Sequence, residues 1–160
     1  MDFFYYICPM VVIFLDIDGV LRTHESDLWW SRELGKAIPP VHKRFFSKEA
    51  IENLNYIIAL TGAKIVITST WRIYYTLDEL INVFRERGFN GQIIDKTEIL
   101  ENRADEIIDW LNNHSVKNYA VLDDNISDII SKIPSCKIAK CDSLKGLNDD
   151  VFEKVLEIIG

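Results

Sequence analysis

Cysteine is scarce in this chain, with three in 160 residues, at Cys8, Cys136 and Cys141. They have no metal-ligand spacing, which argues against a cysteine-based metal site, and an odd number suits a reducing, cytoplasmic compartment better than a disulfide framework. Histidine is equally sparse: His24, His42 and His114 are scattered without ligand spacing and read as surface or loop positions. Basic residues are outnumbered, 18 Lys and Arg against 25 Asp and Glu, for a net charge of -7. That balance argues against nonspecific binding of nucleic acid over the whole surface and leaves room only for a local basic patch. Long hydrophobic runs are also missing. The stretch from Phe3 to Leu15 is almost wholly apolar but too short to span a bilayer, lacks a basic leader and is broken by Pro9. No membrane association is expected. Internal repeats, low-complexity tracts and linkers are absent too. With 48% hydrophobic and 27% charged residues, the chain reads as one globular domain over 1–160. Within it, 1–9 is a candidate N-terminal extension carrying Phe3, Phe4, Tyr5 and Tyr6.

The most informative stretch runs from Val11 to Leu21, where a continuous apolar segment delivers Asp16, Asp18 and Gly19 at its end. Such a run reads as a parallel strand covered on both faces, and ligands of open α/β sheets bind outside the carboxyl ends of strands. Aspartates at i and i+2 point the same way, so a cation or a shared proton must relieve their repulsion. A hard divalent ion, Mg²⁺ foremost, is the natural candidate. The plainer reading is an Asp-Gly turn with Asp18 capping the following loop.

Apolar runs then alternate with amphipathic segments, which predicts βαβ units and a doubly wound, mostly parallel sheet. Arg22 to Phe46 reads as irregular. Ser47 can cap a helix with Ile51, Leu54 and Ile58 on one face, ended by Gly62; Lys64 to Ser69 is a strand. Thr76 to Glu79 has the capping-box pattern for a helix burying Leu80, Ile81 and Phe84 and closed by Gly88. Gln92 to Ile94 is a short strand, Glu101 to His114 a helix and Asn118 to Leu122 a strand. A short helix over Ile126 to Ile130, a strand from Cys136 to Ala139 and a closing helix from Asp149 to Ile159 complete the pattern.

Three more features fall at strand ends or helix starts. Ile65-Val66-Ile67 leads into Thr68-Ser69-Thr70-Trp71-Arg72, which places hydroxyls where they and backbone N–H groups could hold an oxyanion. Arg103 lies in the first turn of its helix, a poor match to the helix dipole that suggests a separate task. Asp123-Asp124 closes another strand, with Asp128 one helical turn further, and adjacent carboxylates again ask for a cation.

Taken in order, these motifs resemble the haloacid dehalogenase-like (HAD) superfamily of phosphohydrolases over nearly the whole chain. The first motif is Asp16-Ile17-Asp18-Gly19. The second is the hydroxyl of Ser69, or of Thr68 if the register differs by one. The third is Arg103 or, as the weaker candidate, Lys96, and the fourth is Asp123-Asp124. A receiver domain carries a similar set but places its acidic pair before its phosphoacceptor, the reverse of this order.

The resemblance implies a mechanism. Asp16 would attack phosphorus to form an aspartyl-phosphate, and Asp18 would protonate the leaving oxygen and later deprotonate the hydrolytic water. Mg²⁺ would bind Asp16, the backbone carbonyl of Asp18 and Asp124, with Asp123 direct or one layer out. Ser69 and Arg103 would hold the phosphoryl oxygens. Thr68, Thr70, Gly19 and Arg22 join them as candidate substrate contacts.

For the substrate, the insert at 22–46 is too short for a full cap, so the site should be open and suited to a phosphate on a macromolecule. Trp29, Trp30, Phe45 and Phe46 are interleaved there with Arg22, Arg32, Lys36, Lys43 and Arg44, a composition fit for stacking on bases and tracking phosphates. Alternatively, these aromatics only cover the edge of the core. The Ser-Thr-Trp-Arg pattern resembles the HAD domains of nucleic-acid end repair, which makes Arg72 a candidate phosphate ligand and Trp71 packing. The expected substrate is therefore a phosphorylated RNA or DNA end or a nucleotide. Metabolite and phosphoprotein phosphatases, and a noncatalytic binding module, are the alternatives.

Overall fold

The computed structural model describes residues 9–35 and 45–160. Five parallel strands, β1 (Met10–Leu15), β2 (Lys64–Ile67), β3 (Ile93–Lys96), β4 (Val116–Asp123) and β5 (Ile138–Lys140), form one sheet in the order β3-β2-β1-β4-β5. The helices are α1 (His24–Leu34), α2 (Lys48–Thr61), α3 (Trp71–Tyr74), α4 (Leu77–Glu86), α5 (Arg103–Asn112) and α6 (Asp149–Ile159). The doubly wound α/β architecture expected from the alternating pattern is the one observed.

Side-chain alternation divides the core between the two sheet faces. Ile13 and Leu15 of β1, with Ile65, Ile67 and Leu122, pack under Leu54, Ile57, Leu80, Phe84 and Val155 of α2, α4 and α6. Val12 and Phe14, with Val66 and Val121, face Ala104, Ile107 and Trp110 of α5. By the same parity Asp16, following Phe14, and Asp123, following Val121, point toward the α5 side. Because the chain leaves β1 for β2 on one side and β4 for β5 on the other, the sheet's switch point lies between β1 and β4. That crevice is where open α/β sheets hold ligands.

Three local expectations need correction. Arg22 to Phe46 is not all irregular, because α1 occupies its first part with a Thr23–Ser26 capping box and Gly35 at its C-terminus. Its apolar residues Leu28, Trp29 and Leu34 are exposed, so no buried stripe signals the helix. Residues 36–44, with His42, Lys36, Lys43 and Arg44, lie outside the described residues, as do Cys8 and the aromatics of 1–8. Ile126 to Ile130 forms turns rather than a helix. Asn125 Oδ1 accepts from both the N–H and the hydroxyl of Ser127, a local bond that competes with helix formation. Finally, β2 stops at Ile67, and the hydroxyl-rich segment after it turns into the short α3.

That segment is pinned by a buried ion pair. Arg72 Nη2 donates to Glu106 Oε2 at 2.6 Å, with both side chains 5% exposed. Arg72 Nε donates to the Thr97 carbonyl, and Nη1 to those of Thr68 and Ser69. Arg72 thereby ties the end of β2 to α5. Glu106→Ala, which strands a buried guanidinium, should lower stability by about 3–5 kcal/mol, read as a reduced urea midpoint at unchanged m-value. A loss below about 1 kcal/mol would mean that the pair does not hold this region together.

Candidate active site

At the carboxyl ends of β1 and β4, the ligand atoms of Asp16, Asp123 and Asp124 lie within 4.8 Å of one another. Asp16 Oδ1 accepts the N–H of Ile17 at 2.8 Å, and the Ser69 hydroxyl is close enough to favour the ionised carboxylate. Arg103 Nη1 stands 3.4 Å from Asp16 Oδ2 and donates to Asp123 Oδ2. The other oxygen of Asp123 accepts the Asn125 N–H at 2.9 Å. Asn102 caps α5, and Asp128 accepts the backbone N–H of Arg103, so the first turn of this helix is fixed where its cation meets the carboxylates. The dipole mismatch at Arg103 is offset by these two ion pairs.

Burial dominates the electrostatics. It pushes Asp16 above the ordinary carboxylate range, against the pull of Arg103, the Ile17 N–H and Ser69. Burial, then the charge of Asp16, raises Asp123 to about 7 despite Arg103. The Arg103 guanidinium loses solvation but gains more from Asp16 and Asp123, so its proton is held more tightly than usual. Carboxylates that resist ionisation while clustered are a fit for a hard cation with oxygen preference.

Asp18 stands apart from this buried group. Its side chain is 44% exposed, Trp71 Nε1 donates to Oδ2 at 3.1 Å, and Arg22 Nε lies 3.1 Å from Oδ1. Arg22 Nη1 is also 3.4 Å from the buried Asp27. Gly19 turns the chain with φ +78°, and a Cβ there would lie 2.3 Å from Asp124 Oδ2. Glycine is needed both for the backbone and for the space that Asp124 fills.

A cleft of about 700 Å³ opens over the cluster, lined by Asp16, Asp18, Thr70, Arg72, Arg103 and Asp124 among others. A second cavity of about 390 Å³ shares Asp18 and Asp124 and adds Gly19 and Arg22. Ser69 is fully buried. Its effect on the Asp16 carboxylate distinguishes it from Thr68, also fully buried, whose Oγ1 has no hydrogen-bond partner among the described residues. Thr68 is not brought to the cleft. Arg72 reaches the cleft wall, but with its three nitrogens committed to protein acceptors it acts as a strut. Lys96 donates to the carbonyls of Arg72 and Tyr75, closing α3 rather than facing the carboxylates.

Trp29 and Trp30 line neither cavity. They meet edge to face at 4.5 Å, Trp30 stacks on Phe45, its indole donates to the Phe46 carbonyl, and the Lys48 ammonium lies over both rings. As candidate substrate contacts they therefore stand away from the cleft over the carboxylates, and the contacts of Trp30 join α1 to the chain entering α2. Sequence reasoning also missed the indole of Trp71 on Asp18, although its place directly after the hydroxyl motif was the available signal.

With this geometry in place, residues 12–152 match the HAD domain in Swiss Army Knife RNA repair proteins. The chain belongs to this family. No curated protein and no solved structure matches it. For a HAD domain, the buried acidic cluster at the strand ends is consistent with the family's active site. Among the described residues, no helix is long and apolar enough to cross a membrane.

Three outcomes are expected of this site. Asp123 binds its proton more tightly in the folded chain, at about 7 against an ordinary 3.8, so the native state holds more protons between these values. This group's contribution to stability is full below about pH 4 and is lost as pH rises to about 7 in metal-free protein. The thermal midpoint should show that fall, and Asp123→Asn should flatten it; an unchanged slope in the variant would place the buried charge elsewhere. A divalent cation competes with these protons and should raise the midpoint more at pH 8 than at pH 5. Gly19→Ala, which displaces Asp124, should weaken divalent-cation binding by about 10- to 100-fold in calorimetric titration.

Proposed function

We propose that this HAD domain is a Mg²⁺-dependent phosphomonoester hydrolase that removes a phosphate from a polynucleotide end or nucleotide through an aspartyl-phosphate on Asp16. The observation that carries the reading is the division of labour between two aspartates on one turn. Asp16 is buried on the cleft floor against Arg103 and Ser69, while Asp18, two residues on, is half exposed at its mouth. One is shielded as a nucleophile must be, and the other is open to the proton traffic of solvent.

The chemistry follows from those positions. A carboxylate oxygen of Asp16 attacks phosphorus in line, the bond to the leaving oxygen breaks, and Asp18 gives that oxygen its proton. Asp18, now anionic, takes a proton from water. The water oxygen attacks phosphorus, the bond to Asp16 breaks, and inorganic phosphate and the free carboxylate remain. Arg103 offsets the charge gathered on the phosphoryl oxygens, and Ser69 keeps Asp16 oriented. Asp16, Asp124 and the backbone carbonyl of Asp18 would hold Mg²⁺, with Asp123 as the anchor of Arg103, since both its oxygens already accept protein hydrogen bonds. When bound, the cation would offset repulsion between carboxylate and phosphate dianion and hold Asp16 ionised in its buried setting.

Two observations support a phosphate at an end rather than within a strand. Members of this family occur in RNA repair proteins. The cleft wall also carries Glu101 and Asp128, which repel a polyanion laid along it but leave the Arg103 position for one terminal phosphate. Free Cys136 and Cys141 suit a reducing, intracellular setting.

The test is phosphate release with Mg²⁺ from end-phosphorylated oligonucleotides, mononucleotides and p-nitrophenyl phosphate. Oligonucleotide turnover should exceed that of the small esters and disappear with chelator. Asp16→Asn should reduce it by at least about 10³-fold. Preference for a small ester would move the substrate to metabolites, and equal release by Asp16→Asn would end the aspartyl-phosphate reading.

A further inference from the structure

We infer that Trp71 is a positioning residue for proton transfer by Asp18, an assignment that rests on the phosphatase reading above. The tripeptide Ser69-Thr70-Trp71 serves both aspartates of the first turn. Its hydroxyl favours the ionised form of Asp16, and two residues later its indole donates to Asp18 Oδ2 at 3.1 Å. The backbone N–H of Trp71 also lies 3.4 Å from Ser69 Oγ, so hydroxyl and indole are braced against one another.

Asp18 needs such a brace. It sits on a tight turn in which Gly19 N–H donates to the Arg22 carbonyl, and Leu21 and Arg22 N–H both donate to that of Ile17. The backbone is fixed, but the side chain is 44% exposed, with only Oδ1 buried beside Arg22. Arg22 approaches Oδ1 at 3.1 Å without the alignment of a hydrogen bond and is drawn toward Asp27 as well. The indole supplies the directed bond, to Oδ2. Its ring is 3% exposed and packs against Phe46 and Tyr75, with centroids 6.1 and 5.8 Å away. Indole is a donor only and does not titrate, so it offers Asp18 one geometry through both half-reactions. Holding the carboxyl group toward the leaving oxygen removes a rotational search from the step in which it gives its proton.

This role has a signature that a purely structural tryptophan lacks. Protonation matters most when the leaving oxygen is a poor one, as in a ribose alkoxide, and little for nitrophenolate. Trp71→Phe retains a ring and loses the N–H. Its kcat/KM on a ribonucleoside 3′-phosphate, which reports only the steps up to formation of the aspartyl-phosphate, should fall about 10-fold or more, while kcat/KM on p-nitrophenyl phosphate falls less than about threefold. In an Asp18→Asn background the same change should cost nothing further, because Trp71 acts through Asp18. If the smaller ring lowers the melting temperature, benzothienylalanine at position 71 keeps the bicyclic shape and removes only the N–H. Equal losses on both substrates, no loss on either, or full additivity with Asp18→Asn would each overturn the assignment. Wild-type protein inert toward both esters would instead overturn the phosphatase reading, and the assignment with it.

Discussion

Three carboxylates packed within 4.8 Å at the ends of two buried strands set the terms for everything around them. Two unit charges at that distance repel by about 3 kcal/mol at an effective dielectric near 20. Several such pairs exceed what one partly buried arginine offsets. The chain responds in two ways visible in its structure: Asp16 and Asp123 hold their protons more tightly than usual, and Arg103 is fixed by helix capping where it touches both. A bound divalent cation would remove the remaining imbalance, so the same charges that weaken the empty fold would create affinity in the loaded one.

The rest of the site is built to keep that cluster in register. Parallel pairing of β1 with β4 brings Asp16 beside Asp123, since Leu15 lies opposite Leu122. Gly19 leaves the space that the Asp124 carboxylate fills. The end of β2 contributes the Ser69 hydroxyl, and the Arg72–Glu106 pair locks that end to α5, the helix that carries Arg103. Gly146, at φ +67°, lets the loop after β5 close on the first turn, where Leu147 N–H meets the Val20 carbonyl. Packing and electrostatics thus converge on one turn of chain.

The doubly wound sheet and its helices were legible because both faces of the sheet are covered, so strands read as apolar runs and helices as stripes. Asp16, Asp18, Ser69, Arg103 and the Asp123–Asp124 pair stood out as the polar groups that interrupt those patterns at element ends. What could not be read was direction. Trp29 and Trp30 have the composition of a stacking surface, but α1 has no buried stripe, and nothing local says which cavity its residues face. Arg72 looks like a phosphate ligand in sequence; only its partner Glu106, 34 residues away, shows it to be a strut. Trp71 was hidden for the opposite reason. A tryptophan inside a fold is expected to pack, and its one polar atom finds Asp18 across a gap of 53 residues.

Direct trapping tests the proposed role of Asp16 as the carrier of the phosphoryl group between its two transfers. Protein mixed with labelled substrate and Mg²⁺ is quenched in acid, reduced with borohydride, and its peptides are read by mass spectrometry. Conversion of Asp16 to homoserine, dependent on substrate and absent in Asp18-intact protein lacking the Asp16 carboxylate, is expected. Phosphate release with Asp16 unmodified in the quenched protein, or with the label on another residue, would contradict it.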